Sequence, residues 1–316
     1  MITTHRINAL AFAAALVAAL VPADAGLAEP RAQDQDATEP EREITFSLPS
    51  GYELRFDTDI DGGGTIGVSR FHFGLDAETE LDQDLNLKLS FRYALDQYDF
   101  TGATRLGGER PWEDIHTLGF AAQFRWTVRN DWFISTGPVV QFSRETGADW
   151  DDSLIGGAVV SATHVFNDRL MVGGGFGIVS QIEDDARVVP VIVLNWQLKE
   201  KLRLSTLGGA GASGGTSLEL IYDLGRGWEA ALGGRYDFRR FRLDNTGVAP
   251  GGVGEETSLP FWVRLSHRIN ENFSVDVYGG LTAGGSLELE DRNGTGIGSE
   301  NFDPAGFLGL AVKIRF

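Results

Sequence analysis

The chain ends Gly306-Phe307-Leu308-Gly309-Leu310-Ala311-Val312-Lys313-Ile314-Arg315-Phe316. In steps of two back from Phe316 stand Ile314, Val312, Leu310 and Leu308, and between them lie Arg315, Lys313, Ala311 and Gly309. A two-residue period sends alternate side chains to opposite faces of a strand, so one face meets hydrocarbon and the other a polar interior. The stretch reads as the closing strand of a transmembrane antiparallel up-and-down β-barrel.

The other end of the chain is consistent with that address. Arg6 supplies a positive n-region, Ile7 to Val21 is almost uninterrupted apolar sequence, and small residues from Ala23 to Ala28 offer cleavage sites. This is the pattern of a secretory signal peptide. The alternative, an uncleaved spanning helix, needs roughly 20 apolar residues, and this run is shorter and ends at Pro22 and Asp24. The terminal aromatic, with Ile314, Val312 and Leu310 before it, resembles the assembly signal of bacterial outer-membrane barrels. That resemblance implies export to the outer membrane of a Gram-negative bacterium. It also implies periplasmic chaperones, the barrel assembly machinery, outer-membrane lipids and lipopolysaccharide as partners.

Composition agrees. Hydrophobic residues make up 42% of the chain, low for a bundle of membrane helices but suited to strands that give half their residues to lipid. The 41 glycines suit turns, kinks and close wall packing. With no cysteine, disulfides, thiolate chemistry and Cys-type zinc sites are excluded. The net charge of −18 at pH 7 excludes nucleic acid as a partner, and removing Arg6 and Asp24 with a leader leaves it unchanged. No cofactor is expected.

Residues 1–28 are thus read as leader and 29–43, polar and Pro-punctuated, as a disordered periplasmic linker. The barrel is read as 44–316. Leu118, Phe120, Ala122, Phe124, Trp126 and Val128 alternate with Gly119, Ala121, Gln123, Arg125 and Thr127, and similar segments recur throughout. Short connections at Asn130-Asp131, Asn167-Asp168, Lys199 to Lys201, Gly225 to Gly227 and Asn270 to Asn272 read as periplasmic turns. The stretches 101–114, 146–152, 244–256 and 291–305 read as outer loops. Trp126, Trp132, Phe166, Trp196, Tyr222, Trp228 and Phe273 gather beside the short turns as an interfacial girdle. Strands are expected near 51–60, 65–80, 86–100, 114–129, 132–145, 153–166, 169–183, 188–198, 202–212, 216–224, 228–243, 257–269, 272–290 and 305–316. That is about fourteen strands, with about twelve as the alternative because the Gly-rich pair 202–224 is short.

Parity then assigns Arg55, Asp57, Arg70, Lys88, Arg92, Arg125, Glu219, Asp223, Arg235, Asp237, Arg239, Arg264 and Asp276 to the lumen, with Lys313 and Arg315. Two readings follow. One is a hydrated pore, since barrels of about eight strands are filled and those of 16–18 hold a channel. The other is an interior closed by cross-strand ion pairs. Arg235, Arg239, Arg240, Arg264 and Arg268 form a basic ladder that Asp237, Asp223 and Glu219 can neutralise, whereas acidic outer loops favour cations.

Catalysis has little support. His72 and His116 are assigned to the lumen, His164 and His267 to periplasmic strand ends, and no serine stands beside a histidine at the outer rim. Asp291 to Gly296 lacks the ligand spacing of a calcium loop. From Ser205 to Ala305 the chain resembles a bacterial family of outer-membrane β-barrel proteins with no assigned function. The residues concerned are Gly208 to Gly215, Leu218 to Tyr222, Gly233 to Tyr236, Arg240 to Leu243, Leu259-Pro260-Phe261, Tyr278 to Gly280, Leu287 to Asp291 and Asp303 to Ala305. That resemblance implies fold and location and transfers no site residues. The expected function is a porin-like channel or transporter for small solutes, the alternative a non-conducting structural or surface-interaction barrel.

Overall fold

The structure, a computed structural model, describes residues 43–210 and 217–316. The leader and the linker up to residue 42 lie outside the described residues. The strands are β1 (Ile44–Asp59), β2 (Thr65–Asp82), β3 (Leu85–Thr101), β4 (Asp114–Arg129), β5 (Trp132–Glu145), β6 (Leu154–Asn167), β7 (Leu170–Gln181) and β8 (Asp184–Lys199). They continue as β9 (Leu202–Ser205), β10 (Ser217–Gly225), β11 (Trp228–Arg235), β12 (Asp237–Arg242), β13 (Val253–Asn270), β14 (Phe273–Glu290), β15 (Gly296–Phe302) and β16 (Ala305–Arg315).

These sixteen segments make fourteen passes. β12 continues β11 along β13 in one register, Gly234 facing Phe261 and Asp237 facing Ser258. β15 runs into β16 along β14 in the same way, Gly285 facing Phe302 and Thr282 facing Ala305. The antiparallel sheet closes where β1 pairs with β16, from Ser47 opposite Arg315 to Arg55 opposite Phe307. Closure leaves no wall edge unpaired along this seam, which hydrocarbon demands because it offers no hydrogen bonds.

Several boundaries differ from expectation; β8 begins at Asp184 rather than near 188, and β13 at Val253, inside the expected loop 244–256. β1 begins at Ile44 rather than near residue 51, because residues 47–50 also find partners on the closing strand, Ser47 opposite Arg315 and Pro49 opposite Lys313. The strand expected over 202–212 stops at Ser205, after which Gly208 and Gly209 take positive φ and Ala210 is buried against the cluster of Trp262, Tyr278 and Phe307. The expected loop 291–305 carries β15, because its residues find partners on the upper part of β14.

The outward set is apolar. Leu54, Phe71, Phe120, Phe176, Ile192, Leu232, Phe261, Val263, Leu281 and Leu308 are all exposed. Trp126, Trp132, Phe166, Trp196, Tyr222 and Trp228 stand exposed near the short turns, as an interfacial belt requires. The terminal Phe316 stacks on Phe46 with ring centroids 5.8 Å apart, and the two residues exchange backbone hydrogen bonds. An antiparallel barrel with an apolar exterior and a charged interior is the architecture of the bacterial outer membrane. This chain is such an outer-membrane barrel.

Many glycines lie opposite a large ring. Gly233 faces Trp262, Gly234 faces Phe261, Gly254 faces Phe241, Gly285 faces Phe302 and Gly309 faces Tyr278. A ring laid over a missing side chain packs flat against the wall. A Cβ on Gly233 would come 2.7 Å from Trp262 Cε2 and 2.8 Å from Glu219 Cγ. Gly233→Val is therefore expected to cost about 1–3 kcal/mol through overpacking. Urea unfolding in lipid checks it, and an unchanged midpoint would contradict the packing.

Candidate functional site

The four adjacent strands β11/β12, β13, β14 and β15/β16 are interrupted at one level, the first and last by a break and the middle two by a shift of register. β11 gives way to β12 at Tyr236, which is level with Leu259 by register. The β13–β14 register shifts between Ser258 and Pro260, beside Gly284 with its φ of 68°. β15 gives way to β16 at Asp303-Pro304. Pro260 and Pro304 donate no backbone hydrogen bond, and Gly284 accepts a left-handed conformation that other residues resist. The breaks form a fold line across four adjacent strands.

Below the line, outward positions of β13 hold Phe261, Val263 and Leu265; above it they hold Glu255 and Thr257. The same face of β12 carries Arg240 and Arg242, which apolar lipid would not accommodate. The upper strands instead curl into the barrel as a four-stranded flap, with Val253 to Ser258 buried without interruption. Phe238 and Val253 pack on the inner face of β5 to β8, against Val139, Ile155, Val159, Val179, Val189, Val191 and Val193. Phe241, Leu287, Leu289 and Phe302 pack with Ile66, Val68, Tyr98, Phe100 and Trp112 of the opposite side. The outer part of the lumen is thereby filled with protein.

A charged layer lies beneath that packing. Glu256, on the flap, accepts hydrogen bonds from Arg55, from Arg70 Nη2 at 2.7 Å and from Tyr98 Oη at 2.5 Å. Arg70 also lies 3.5 Å from Glu53 and 3.7 Å from Asp96. Arg239 Nε, on the flap, stands 3.0 Å from Asp96 Oδ2. At the fold line Arg235 donates to Asp237 at 2.7 Å and to the Ala210 carbonyl. On the flap's other face Arg240 bonds Glu255, Glu290 and the Ile182 carbonyl. Arg242 bonds Glu183 at 2.5 Å and the Asp152 carbonyl at 2.9 Å.

Toward the periplasm the charges are spaced more openly. Asp76 takes Arg92 at 2.7 Å, Lys88 at 3.6 Å and the Ser90 hydroxyl at 2.7 Å. Glu219 accepts from Trp262 Nε1 at 2.7 Å and from Arg264 Nε at 3.0 Å, and Asp276 lies 3.6 Å from Arg264. The Arg125 guanidinium sits 5.6 Å from the Phe133 ring centre.

Three lumen assignments need correction. A bulge between Arg55 and Thr58 interrupts the alternation, so Asp57 is exposed beside Ser69, Gln97 and Asp99 on the exterior at the outer rim. His116 also lies outside, because its neighbour Ile115 is the buried one. Asp223 is exposed at a turn, where its Oδ1 accepts the Gly225 N–H at 2.7 Å. Glu256, Glu255, Asp76, Glu53 and Asp96 are among the buried acids that the sequence reading did not select. Glu53 shares parity with Arg55, as Asp96 does with Arg92, so strict alternation finds both. Glu256 fell in a stretch read as loop.

The histidines are engaged locally. His116 Nδ1 meets Tyr93 Oη and its Nε2 meets Thr146 Oγ1, each at 3.0 Å. His164 stacks on Trp132 and His267 on Trp228, while His72 lies over Gly51. Asp291 Oδ1 is taken by the N–H groups of Thr295 and Asn293, which hold its carboxyl below the usual carboxylate range.

No family model and no curated protein matches this chain. Among solved structures it is similar to an outer membrane channel from Pseudomonas putida F1, with a TM-score of 0.48 and 10% identity over 91% of this chain and 100% of that one. A Pseudomonas aeruginosa FadL homologue gives 0.40 and 11% over 87% and 89%. A KdgM porin gives 0.35 and 9% over 85% and 99%. At these values the likeness concerns barrel form alone, and the chemistry has to be argued from this chain's own residues.

Proposed function

We propose that the barrel is a porin-like channel or transporter for small solutes, closed at its outer end in the conformation seen. One observation carries this reading. Inside a closed wall, the side chains of Lys88, Arg92 and Asp276 keep 17%, 35% and 29% of their surface accessible, so water reaches the lumen as far as the charged layer. A fourteen-strand wall is wider than the filled barrels of about eight strands, and the obstruction consists of four strand ends.

Planar-bilayer recording tests this on the refolded protein and on a variant in which residues 238–256 and 286–301, the outer ends of all four strands, are each replaced by a short turn. Conductance steps are expected in the shortened barrel, with reversal potentials favouring cations because the outer loops are acidic. Silence of a verified folded, shortened barrel would sink the channel reading. The second reading, a non-conducting structural or surface-interaction barrel, is favoured by the packing of the outer lumen and would then stand.

The same proposal includes a leader over 1–28 removed on export, a periplasmic linker over 29–43, and recognition of Phe316, Ile314, Val312 and Leu310 by the barrel assembly machinery after periplasmic chaperones. Outer loops contact lipopolysaccharide. Catalysis has no part in it: His116 is oriented by a tyrosine hydroxyl, not a carboxylate, and its hydroxyl neighbour is Thr146. His116→Ala is expected to leave phospholipid and lipid A profiles of expressing cells unchanged; an altered profile would revive an enzymatic role.

A further inference from the structure

The flap is joined to the barrel in two different ways. Across the fold line it is continuous with the wall through four strands. Along its flanks, backbone pairing is sparse among the described residues. β12 meets β5 through one bridge, Arg242 with Arg144. β15 meets β1 through the bridge of Ile60 with Phe302 and the flanking bonds Asp61 N–H to Asn301 O and Asp303 N–H to Asp59 O. The remaining fastenings are side chains. Glu256 clasps Arg55, Arg70 and Tyr98 of the wall, Arg239 reaches Asp96, and Arg240 and Arg242 reach the β7–β8 and β5–β6 connections. Side-chain fastenings can part without breaking a backbone ladder; a continuous ladder cannot.

The fold line itself has the composition of a hinge. Pro260 and Pro304 remove ladder donors, Gly284 sits at positive φ, and the register shifts where β13 passes β14. A few terminal or loop residues that absorb the backbone rotation are what hinged closure uses. We propose that the outer ends of these four strands are a gate. It turns about Tyr236, Leu259-Pro260, Ala283-Gly284 and Asp303-Pro304, and is held shut by the Glu256 clasp. The inference rests on the channel reading, whose own test is the shortened barrel.

The clasp is asymmetric in charge. With Glu256 neutral, Arg55 and Arg70 of the wall face Arg239 of the flap with less negative charge between them, so closure weakens twice. Glu256→Gln is expected to raise the open probability by roughly tenfold, as loss of one charge-assisted hydrogen bond implies. A second variant does not depend on the clasp. The chain has no cysteine, so Arg144→Cys with Arg242→Cys introduces the sole thiol pair, at the flap's far edge. Neighbouring strands lie about 4.7–4.9 Å apart, within the roughly 4.4–6.8 Å that a disulfide spans between Cα atoms.

Planar-bilayer recording of that double variant, oxidised and then reduced in the same chamber, reads the gate directly. The expected result is silence when oxidised, channel openings when reduced, and more frequent openings in Glu256→Gln. Equal conductance before and after reduction overturns the gate while leaving the channel reading intact. Silence of the reduced form and of Glu256→Gln, beside a conducting shortened barrel, also overturns it: the flap is then a fixed plug. Silence of the shortened barrel as well removes the channel reading itself.

Discussion

Glu256→Ala lowers the unfolding free energy by about 3–5 kcal/mol, the cost of leaving buried charges without their partner. Glu256 is 2% exposed, and Arg55 and Arg70 are 1% and 3% exposed, so water cannot easily replace the carboxylate. Three donors lose one acceptor: Arg55, Arg70 and Tyr98. Arg70 retains Glu53 and Asp96 at 3.5 and 3.7 Å, whereas Arg55 retains the Phe302 ring, 4.6 Å from its guanidinium carbon. The change should therefore fall hardest on Arg55. Denaturant unfolding in lipid measures it, with Glu200→Ala in an exposed periplasmic turn as reference. A loss no greater than that of Glu200→Ala would show that the clasp is solvated and does not fasten the flap.

Val263→Arg costs about 2–4 kcal/mol, the penalty for a basic side chain on the lipid face near the bilayer midplane. Val263 is 62% exposed between Phe261 and Leu265 on the wall portion of β13, and that exposure is to hydrocarbon. Ile269→Arg supplies the comparison. Ile269 is 53% exposed beside the turn after β13, where headgroups and water solvate a guanidinium and the cost falls to about 0–1 kcal/mol. The difference between the two depends on depth alone. Equal costs would mean that the apolar exterior is not a membrane belt.

Much of the wall is legible from the sequence because its cause is local. On β16, outward Leu308, Leu310 and Ile314 follow from a two-residue period and need no knowledge of the neighbours. The same holds for the periplasmic belt, where Trp126, Trp132, Trp196 and Trp228 stand beside short turns. Parity fails where the period is broken. The bulge after Arg55 carries Asp57 outside, and a bulge leaves no reliable mark in residue types. The candidate site was half legible: Arg55, Arg70, Arg235 and Arg264 could be assigned inward from their own strands. Their partners could not be chosen, because Glu256 lies 201 residues from Arg55 and reaches it only when the upper part of β13 leaves the wall.

The sequence by itself determined a membrane barrel of twelve to fourteen strands and its outward face, since hydrocarbon sorts residues one at a time; the register of β12 and β15 settled the count at fourteen. Whether the lumen is open was decided only by tertiary structure. Phe238 and Leu287 look like ordinary strand residues in the sequence, and Val253 falls in a stretch read as loop. They become a stopper because Pro260, Gly284 and Pro304, scattered along the chain, align in one fold line once the strands are in register.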